Sequence, residues 1–258
     1  MNTVFVGFLA SLIASLGTGM GAMPILITDR LNQRYQGILL GLGAGVMLAA
    51  SAFSLILPST EIAIANGNSS QSAAVIVSLG IMLGAALLWF AHEYFPHEHF
   101  FQGKEEGRSL PNFKQLWLFI LAITIHNFPE GLAVGVGFDA ANLNQGIPLA
   151  LGIGLQNLPE GLVVALALRE LKYSIPYALG VAWLTGLVEP VGGFLGASLA
   201  SLGQIFLPWG MAIAAGAMLF VIVDEIIPEI DRKAAAQQGT LGIILGFVSM
   251  MFLDISLG

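Results

Sequence analysis

The chain has 258 residues, of which 56% are hydrophobic and only 10% are charged, against about 25% charged in an ordinary soluble domain. The apolar residues fall in long blocks without the polar face of a water-exposed helix, which excludes a soluble globular protein and predicts a membrane protein. The net charge of −7 and the lack of a basic patch argue against nucleic acid as a partner, and the absence of cysteine excludes disulfides and thiolate metal sites.

Eight low-charge stretches follow one another along the chain, most of them close to the ~20 residues that a helix needs to cross the hydrocarbon core. They lie near 4–27, 37–58, 72–91, 116–138, 147–168, 175–199, 205–227 and 241–257. The first lacks the basic start of a secretory signal, so we expect it to be kept as the first span. The sequence predicts an all-α polytopic membrane protein, with residues 1–258 forming a single transmembrane transporter domain.

The basic residues lie in alternate connections between these stretches. They are Arg30 and Arg34, then Lys104, Arg108 and Lys114, then Arg169 and Lys172, then Arg232 and Lys233. By the positive-inside rule these four loops are cytoplasmic, so both termini are predicted to be extracytoplasmic. The regular alternation also supports the count of eight, because one missed span would place basic residues on both sides.

Two pairs of similar segments predict inverted repeats. Residues 44–48 (Ala-Gly-Val-Met-Leu) resemble 215–219 (Ala-Gly-Ala-Met-Leu), and 126–131 (His-Asn-Phe-Pro-Glu-Gly) resemble 156–161 (Gln-Asn-Leu-Pro-Glu-Gly). The two spans of each pair cross in opposite directions, a pattern common in secondary transporters, which bind substrate at the repeat interface. Chance similarity between apolar helices remains an alternative for the shorter pair.

Four ionisable residues lie deep inside predicted spans: His126 and Glu130 in the fourth, Glu160 in the fifth and Glu189 in the sixth. Such groups are costly in lipid and usually face a cavity with a function. His126 and Glu130 are four residues apart, so one helix face presents both to a single ion. The alternative is that each is a structural hydrogen-bonding group, which is improbable for all three glutamates together.

Amides and prolines accompany these residues. Asn127 and Asn157 add neutral oxygens one step round each helix, while Pro129 and Pro159 lack the amide hydrogen that would bond one turn back. We therefore expect a kink and a free carbonyl at the depth of the ligands. Glu189 precedes a proline too, which suggests a third contributor to the same site.

Several other polar residues have weaker signals. Asp224 and Glu225 lie near the cytoplasmic end of the seventh span and Asp254 near the outer end of the eighth, where an interfacial role is equally open. Met47 and Ser54 share a face of the second span and offer a thioether and a hydroxyl, although ordinary packing is as good an explanation for the methionine.

The longest connection, residues 92–115, is predicted to be a cytoplasmic loop that holds three of the chain's four histidines. These are His92, His97 and His99. Such tracts bind transition metals loosely, and a solvated linker is the alternative. We expect any role of this loop to be regulatory or related to exit of the ion.

On these motifs the whole chain resembles the prokaryotic branch of the ZIP family of metal-ion transporters. The resemblance implies uptake of Zn²⁺, or of Fe²⁺, Mn²⁺ or Cd²⁺, toward the cytoplasm by alternating access, and a site often described as binuclear. The ligands it implies are His126, Asn127, Glu130, Asn157, Glu160 and Glu189, with Met47 at the outer face. It also implies that Glu61 and Asp254 attract cations at the outer mouth and that Asp224 and Glu225 line the cytoplasmic exit.

Gln156 departs from the family pattern, in which many members have histidine at this position. An amide oxygen is a harder and weaker donor than imidazole, which favours manganese or iron more than a His ligand would. We predict a transporter without a catalytic cofactor in the cell (inner) membrane, whose partners are the metal ion, lipid and, as a candidate, a second copy. A proton- or sodium-coupled transporter using the same glutamates and an intramembrane metal-dependent hydrolase are the alternatives.

Overall fold

The structure, a computed structural model, describes residues 3–28, 31–94, 113–138, 143–232 and 236–257. In these ranges the regular elements are all helices. The α-helices are α1 (Thr3–Ala22), α2 (Gln33–Ala49), α3 (Leu57–Ala65), α4 (Ser70–Tyr94), α5 (Phe113–Gly137), α6 (Leu143–Glu170), α7 (Ile175–Gly186), α8 (Glu189–Ser201), α9 (Leu207–Val221), α10 (Ile227–Arg232) and α11 (Ala236–Leu257). This confirms the predicted all-α class.

Seven helical segments of the described ranges are long and apolar enough to cross a membrane. They are Thr3–Leu26, Arg34–Ala65, Ser70–Phe90, Gly146–Arg169, Ile175–Ser201, Leu207–Ile226 and Ala236–Leu257. Helix α5 coincides with the predicted fourth span but is not among the seven, so the count of eight remains a prediction. The outward position of both termini also remains one.

The helix pairs follow the symmetry that the sequence motifs predict. If α2 is equivalent to α9, and α5 to α6, then chain order makes α1 equivalent to α8 and α4 equivalent to α11. The most extensive contacts are α2 with α11, α5 with α8, α1 with α6, and α4 with α9. Exchange of equivalent helices turns the first of these pairs into the last and the second into the third, as an inverted repeat requires.

Glycines of the shorter motif occupy equivalent close contacts. A Cβ on Gly45 would collide with the carbonyl of Ile243 in α11, and a Cβ on Gly216 would collide with the carbonyl of Ile81 in α4. Small residues allow helix backbones to approach closely in membrane proteins. The repeated Ala-Gly-x-Met-Leu segment therefore marks the same packing position in each half.

The helices depart from regularity at places that the proline pattern only partly predicts. Helices α5 and α6 continue through Pro129 and Pro159. The kinks expected at these prolines remain a prediction. Segments of π-helix occur at Ala50–Ile56, between α2 and α3, and at Ile222–Ile226, between α9 and α10. Each lies shortly before a proline, whose missing N–H disturbs the preceding turn, and such π-bulges are frequent at functional sites.

Two buried apolar clusters leave a polar layer between them on α6. Leu149 and Ile153 belong to the first cluster and residues 162–168 to the second. The residues between these two stretches include the polar positions 156, 157 and 160. The polar residues of α6 therefore lie at a depth where the neighbouring turns on both sides are packed in apolar surroundings.

Candidate metal centre

His126 and Glu130 lie on one face of α5, as their spacing predicts. The His126 Nε2 atom is 3.4 Å from Glu130 Oε1, and both side chains are at most 5% exposed. One helical turn separates the two residues, so α5 alone places an imidazole beside a carboxylate. Both side chains are enclosed by protein.

Helix α6 brings the second repeat of the motif against the first. Glu160 Oε1 lies 3.0 Å from His126 Nε2, and the side-chain amide of Gln156 donates a hydrogen bond to Glu130. One ligand atom from each of His126, Glu130 and Glu160 lies within 4.8 Å of the other two. Such a separation allows one cation to contact all three groups.

Glu189 joins the cluster from a third helix. It begins α8 after a break that follows α7 at Gly186, and Pro190 occupies one of the first two helical positions. The side chain is 0% exposed, and its Oε1 accepts a hydrogen bond of 2.8 Å from Asn157 Nδ2. The free N–H groups of a helix N-terminus also favour a carboxylate there.

The amides of the cluster use their nitrogens on the protein. Asn157 Nδ2 donates to the carbonyl of Ala14 in α1 at 3.0 Å as well as to Glu189. Asn127 Nδ2 donates to the carbonyl of Thr185 in α7 at 2.9 Å. These two backbone anchors have no signal in the sequence of the motif itself.

Six buried oxygens of the cluster lack a hydrogen-bond donor among the described residues. They are Asn127 Oδ1, Glu130 Oε2, Gln156 Oε1, Asn157 Oδ1, Glu160 Oε2 and Glu189 Oε2. An unsatisfied buried acceptor costs about 1–3 kcal/mol, and several carboxylates in a low-dielectric region repel each other. A cation removes both costs, since hard and borderline metal ions take carboxylate, amide and imidazole donors.

Glu225, for which a role at the cytoplasmic exit is predicted, lies beside His126. Its Oε2 is 3.6 Å from His126 Nδ1, on the side of the ring opposite Glu130 and Glu160, and its side chain is 17% exposed. It is carried by the π-helical segment Ile222–Ile226. A carboxylate at the second nitrogen of a ligating histidine commonly orients the ring, so Glu225 faces the site from the α9 side.

The remaining predicted residues lie elsewhere. Ser54 donates to Asp254 Oδ1 at 2.5 Å, which joins the second and eighth predicted spans by a polar contact. Glu61 is exposed in α3, Asp224 is half-buried beside Glu225, and Met47 is 0% exposed within the first apolar cluster. The roles of these residues at the mouth, the exit and the outer face remain predictions.

The histidine-containing connection starts later than the sequence predicts. His92 lies inside α4, which continues to Tyr94, because the helix does not end where the apolar stretch ends. His97 and His99 lie outside the described residues.

In the described residues, helices enclose a buried cluster of histidine, carboxylates and amides, an arrangement typical of membrane proteins with an intramembrane cation site. Comparison with known families defines it further: residues 102–254 match the Zip family, described as "ZIP Zinc transporter". The chain belongs to the ZIP family and is an integral membrane protein. Membership in a family of transporters confirms the prediction of a transporter as opposed to an enzyme.

Relatives match over nearly the whole chain. It is 47% identical over 252 residues to the zinc transporter GufA of Myxococcus xanthus, which covers 98% of this chain and 99% of the relative. It is 42% identical over 269 residues to the zinc transporter ZIPB of Bordetella bronchiseptica, covering 100% of this chain and 84% of the relative. The human zinc transporter ZIP11 is 33% identical over 337 residues, at 100% and 98% coverage.

Proposed function

We propose that this chain transports a divalent transition-metal ion, zinc in the first place, across the membrane toward the cytoplasm. The observation that supports this most directly is the convergence of Glu130, Glu160 and Glu189 from three helices on His126 and the amides. Zinc is the ion named in the descriptions of the relatives. Iron, manganese and cadmium fit the same nitrogen and oxygen donors.

The donor set favours a transition metal over a proton or sodium as the main cargo. Sodium binds through oxygens alone, whereas His126 directs Nε2 into the group formed with Glu130 and Glu160. Imidazole nitrogen is a preferred ligand of zinc and iron, and not of sodium. A relay of protons among the same glutamates is the second candidate, since it needs only titratable groups in contact.

The movement proposed is alternating access, with one group of helices shifting against another around the site. The proposed ligands belong to α5, α6 and α8. Helix α5 packs with α6 and with α8, and all three pack with α1, whereas Glu225 lies on the π-helical segment that follows α9. A shift between the two groups would separate Glu225 from His126 without separating His126 from Glu130 and Glu160.

Uptake into proteoliposomes loaded with a zinc-sensitive dye tests the function. The purified chain should accelerate entry of Zn²⁺ over empty liposomes, without a sodium gradient and with saturation at high zinc. Entry that needs sodium, combined with no transition-metal binding by the purified protein, would favour the alkali-ion alternative.

Gln156→His tests the predicted effect of this position on selectivity. The substitution replaces an amide oxygen that lacks a partner among the described residues by an imidazole nitrogen, which favours zinc over manganese. We expect the ratio of zinc to manganese uptake to rise roughly tenfold, the equivalent of 1.4 kcal/mol. Gln156→Glu keeps an oxygen donor and is the control; an equal rise in that variant would contradict the explanation.

A further inference from the structure

Thr18 is a polar residue of α1 to which the motifs and the resemblance assign no role. Its side chain is 0% exposed, and its Oγ1 atom has no hydrogen-bond partner of normal geometry among the described residues. Among the described residues, four of the seven buried serine and threonine hydroxyls donate to a carbonyl three residues earlier; Ser15, for example, donates to Leu12 at 2.8 Å. An unpaired buried hydroxyl is costly unless a ligand completes it.

The position of Thr18 is next to the metal centre. Ala14, one turn earlier on α1, accepts the hydrogen bond from Asn157, and a Cβ on Gly161 would collide with the Thr18 carbonyl. A Cβ on Gly186, three residues before Glu189, would lie 2.9 Å from Thr18 Oγ1. The Thr18 hydroxyl therefore points toward the break between α7 and α8, at which Glu189 begins α8.

Inverted repetition makes Thr18 the counterpart of Glu189. A Cβ on Gly131 would collide with the Glu189 carbonyl, as one on Gly161 would collide with that of Thr18. The separation of Thr18 from Glu189 along the chain equals that of Ala44 from Ala215, the first residues of the shorter motif.

The anchors of the two asparagines obey the same relation. Asn127 donates to the Thr185 carbonyl and Asn157 to the Ala14 carbonyl, and each acceptor lies four residues before Glu189 or Thr18. The two halves of the site thus have the same backbone framework. One half places a carboxylate at this position and the other half a hydroxyl.

We propose that Thr18 is a further metal-site residue whose hydroxyl oxygen is a neutral donor to the divalent ion held by Glu189. The proposal rests on the proposed function and adds a ligand from α1 to those from α5, α6 and α8. A hydroxyl instead of a fourth carboxylate limits the negative charge of the site. A less charged site releases a divalent ion more readily, which a transporter needs at each cycle.

Cysteine at this position gives a direct readout, because the chain has no cysteine of its own. In Thr18→Cys, a thiolate that touches bound Cd²⁺ will produce a sulfur-to-cadmium charge-transfer band in the ultraviolet. Ser15→Cys is the matched control: Ser15 is 3% exposed on the same helix, and its hydroxyl bonds its own backbone. We expect the band in the first variant only.

Equilibrium binding supplies a second test that does not depend on the thiol. Titration calorimetry with Cd²⁺ should show a dissociation constant about three- to tenfold higher for Thr18→Val, the equivalent of one neutral interaction, and a value within about twofold of wild type for Thr18→Ser. Thr124→Val is the control, because the Thr124 hydroxyl bonds Ile120 in its own helix at 2.7 Å.

The outcomes separate this proposal from the proposed function. Cadmium binding by Thr18→Cys without the band, or equal affinity in Thr18→Val and wild type, would overturn the role of Thr18 alone. Equal losses of cadmium affinity in Thr18→Ser and Thr18→Val would also overturn it, since the shape of the side chain and not its hydroxyl would then determine the affinity. Wild-type protein that binds no divalent metal would overturn the proposed function itself.

Discussion

Glu130→Gln is expected to reduce metal uptake by at least about 100-fold. Glu130 is 0% exposed and contacts both His126 and Gln156, so the substitution removes a negative charge from the centre of the cluster while keeping the size of the side chain. Removing the charge of one partner in a buried charge pair costs about 3–5 kcal/mol, and 1.4 kcal/mol corresponds to a factor of ten in affinity. Zinc uptake into proteoliposomes is the measurement, with metal binding by calorimetry beside it.

Thr124→Val again provides the control for Glu130→Gln. Thr124 lies on the same helix six residues before Glu130, and its hydroxyl donates to the carbonyl of Ile120. This variant should keep wild-type uptake. Both variants should elute from size exclusion like the wild type. Wild-type uptake by a folded Glu130→Gln protein would refute the assignment of the metal centre.

Gly161→Ala is expected to destabilise the protein and to lose metal binding. A Cβ at this position would meet the backbone carbonyl of Thr18, which cannot turn aside as a side chain does, so α1 must move away from α6. Overpacking of a close contact costs about 1–3 kcal/mol or more, and we expect the melting temperature in detergent to fall by roughly 5–10 °C. Because α1 also anchors Asn157, cadmium affinity should fall in the protein that remains folded.

Gly180→Ala is the matched substitution for this test. Gly180 lies in α7, and among the described residues no atom outside its chain neighbours and its own helical backbone is within 4 Å of the Cβ that alanine would add. The melting temperature should stay the same or rise slightly, since alanine is favoured over glycine in a helix. An equal fall of the melting temperature in the two variants would show that the close helix contact at Gly161 does not cause the loss of stability.

Much of the metal centre was predictable because its signals are local. His126 and Glu130 are one turn apart, so any helix puts them on one face, and their position in an apolar stretch required a function. The repeat of Pro-Glu-Gly predicted that Glu160 would be the counterpart of Glu130. The contact of both glutamates with His126 agrees with this reasoning.

Other parts of the site depend on contacts between distant segments and had no local signal. The family resemblance implied a role of Glu225 at the cytoplasmic exit, which remains a prediction, and did not indicate that its carboxylate lies 3.6 Å from His126 Nδ1. The π-helical segment that carries it changes the rotation of the side chains along the helix. Periodicity in a sequence assumes a regular helix and cannot show such a change.

The backbone anchors of Asn127 and Asn157 were missed for a related reason. Any residue has a carbonyl, so Thr185 and Ala14 are not distinguished by their side chains as acceptors. The relation between Thr18 and Glu189 was present in the sequence as the separation already shown by the shorter motif. The relation can be recognised only from the glycine contacts, which show that the first and sixth predicted spans pack in equivalent ways.

The sequence by itself determined the membrane environment, the helical class and the chemical nature of the candidate ligands, because each depends on residue type and on spacing within one helix. Only the tertiary structure decided which helices meet, which carboxylates lie beside each nitrogen of His126 and which oxygens of the described residues remain unpaired. These properties arise from close approach of backbones at small residues such as Gly131 and Gly161. Such an approach is a relation between segments far apart in the chain, and packing alone selects it.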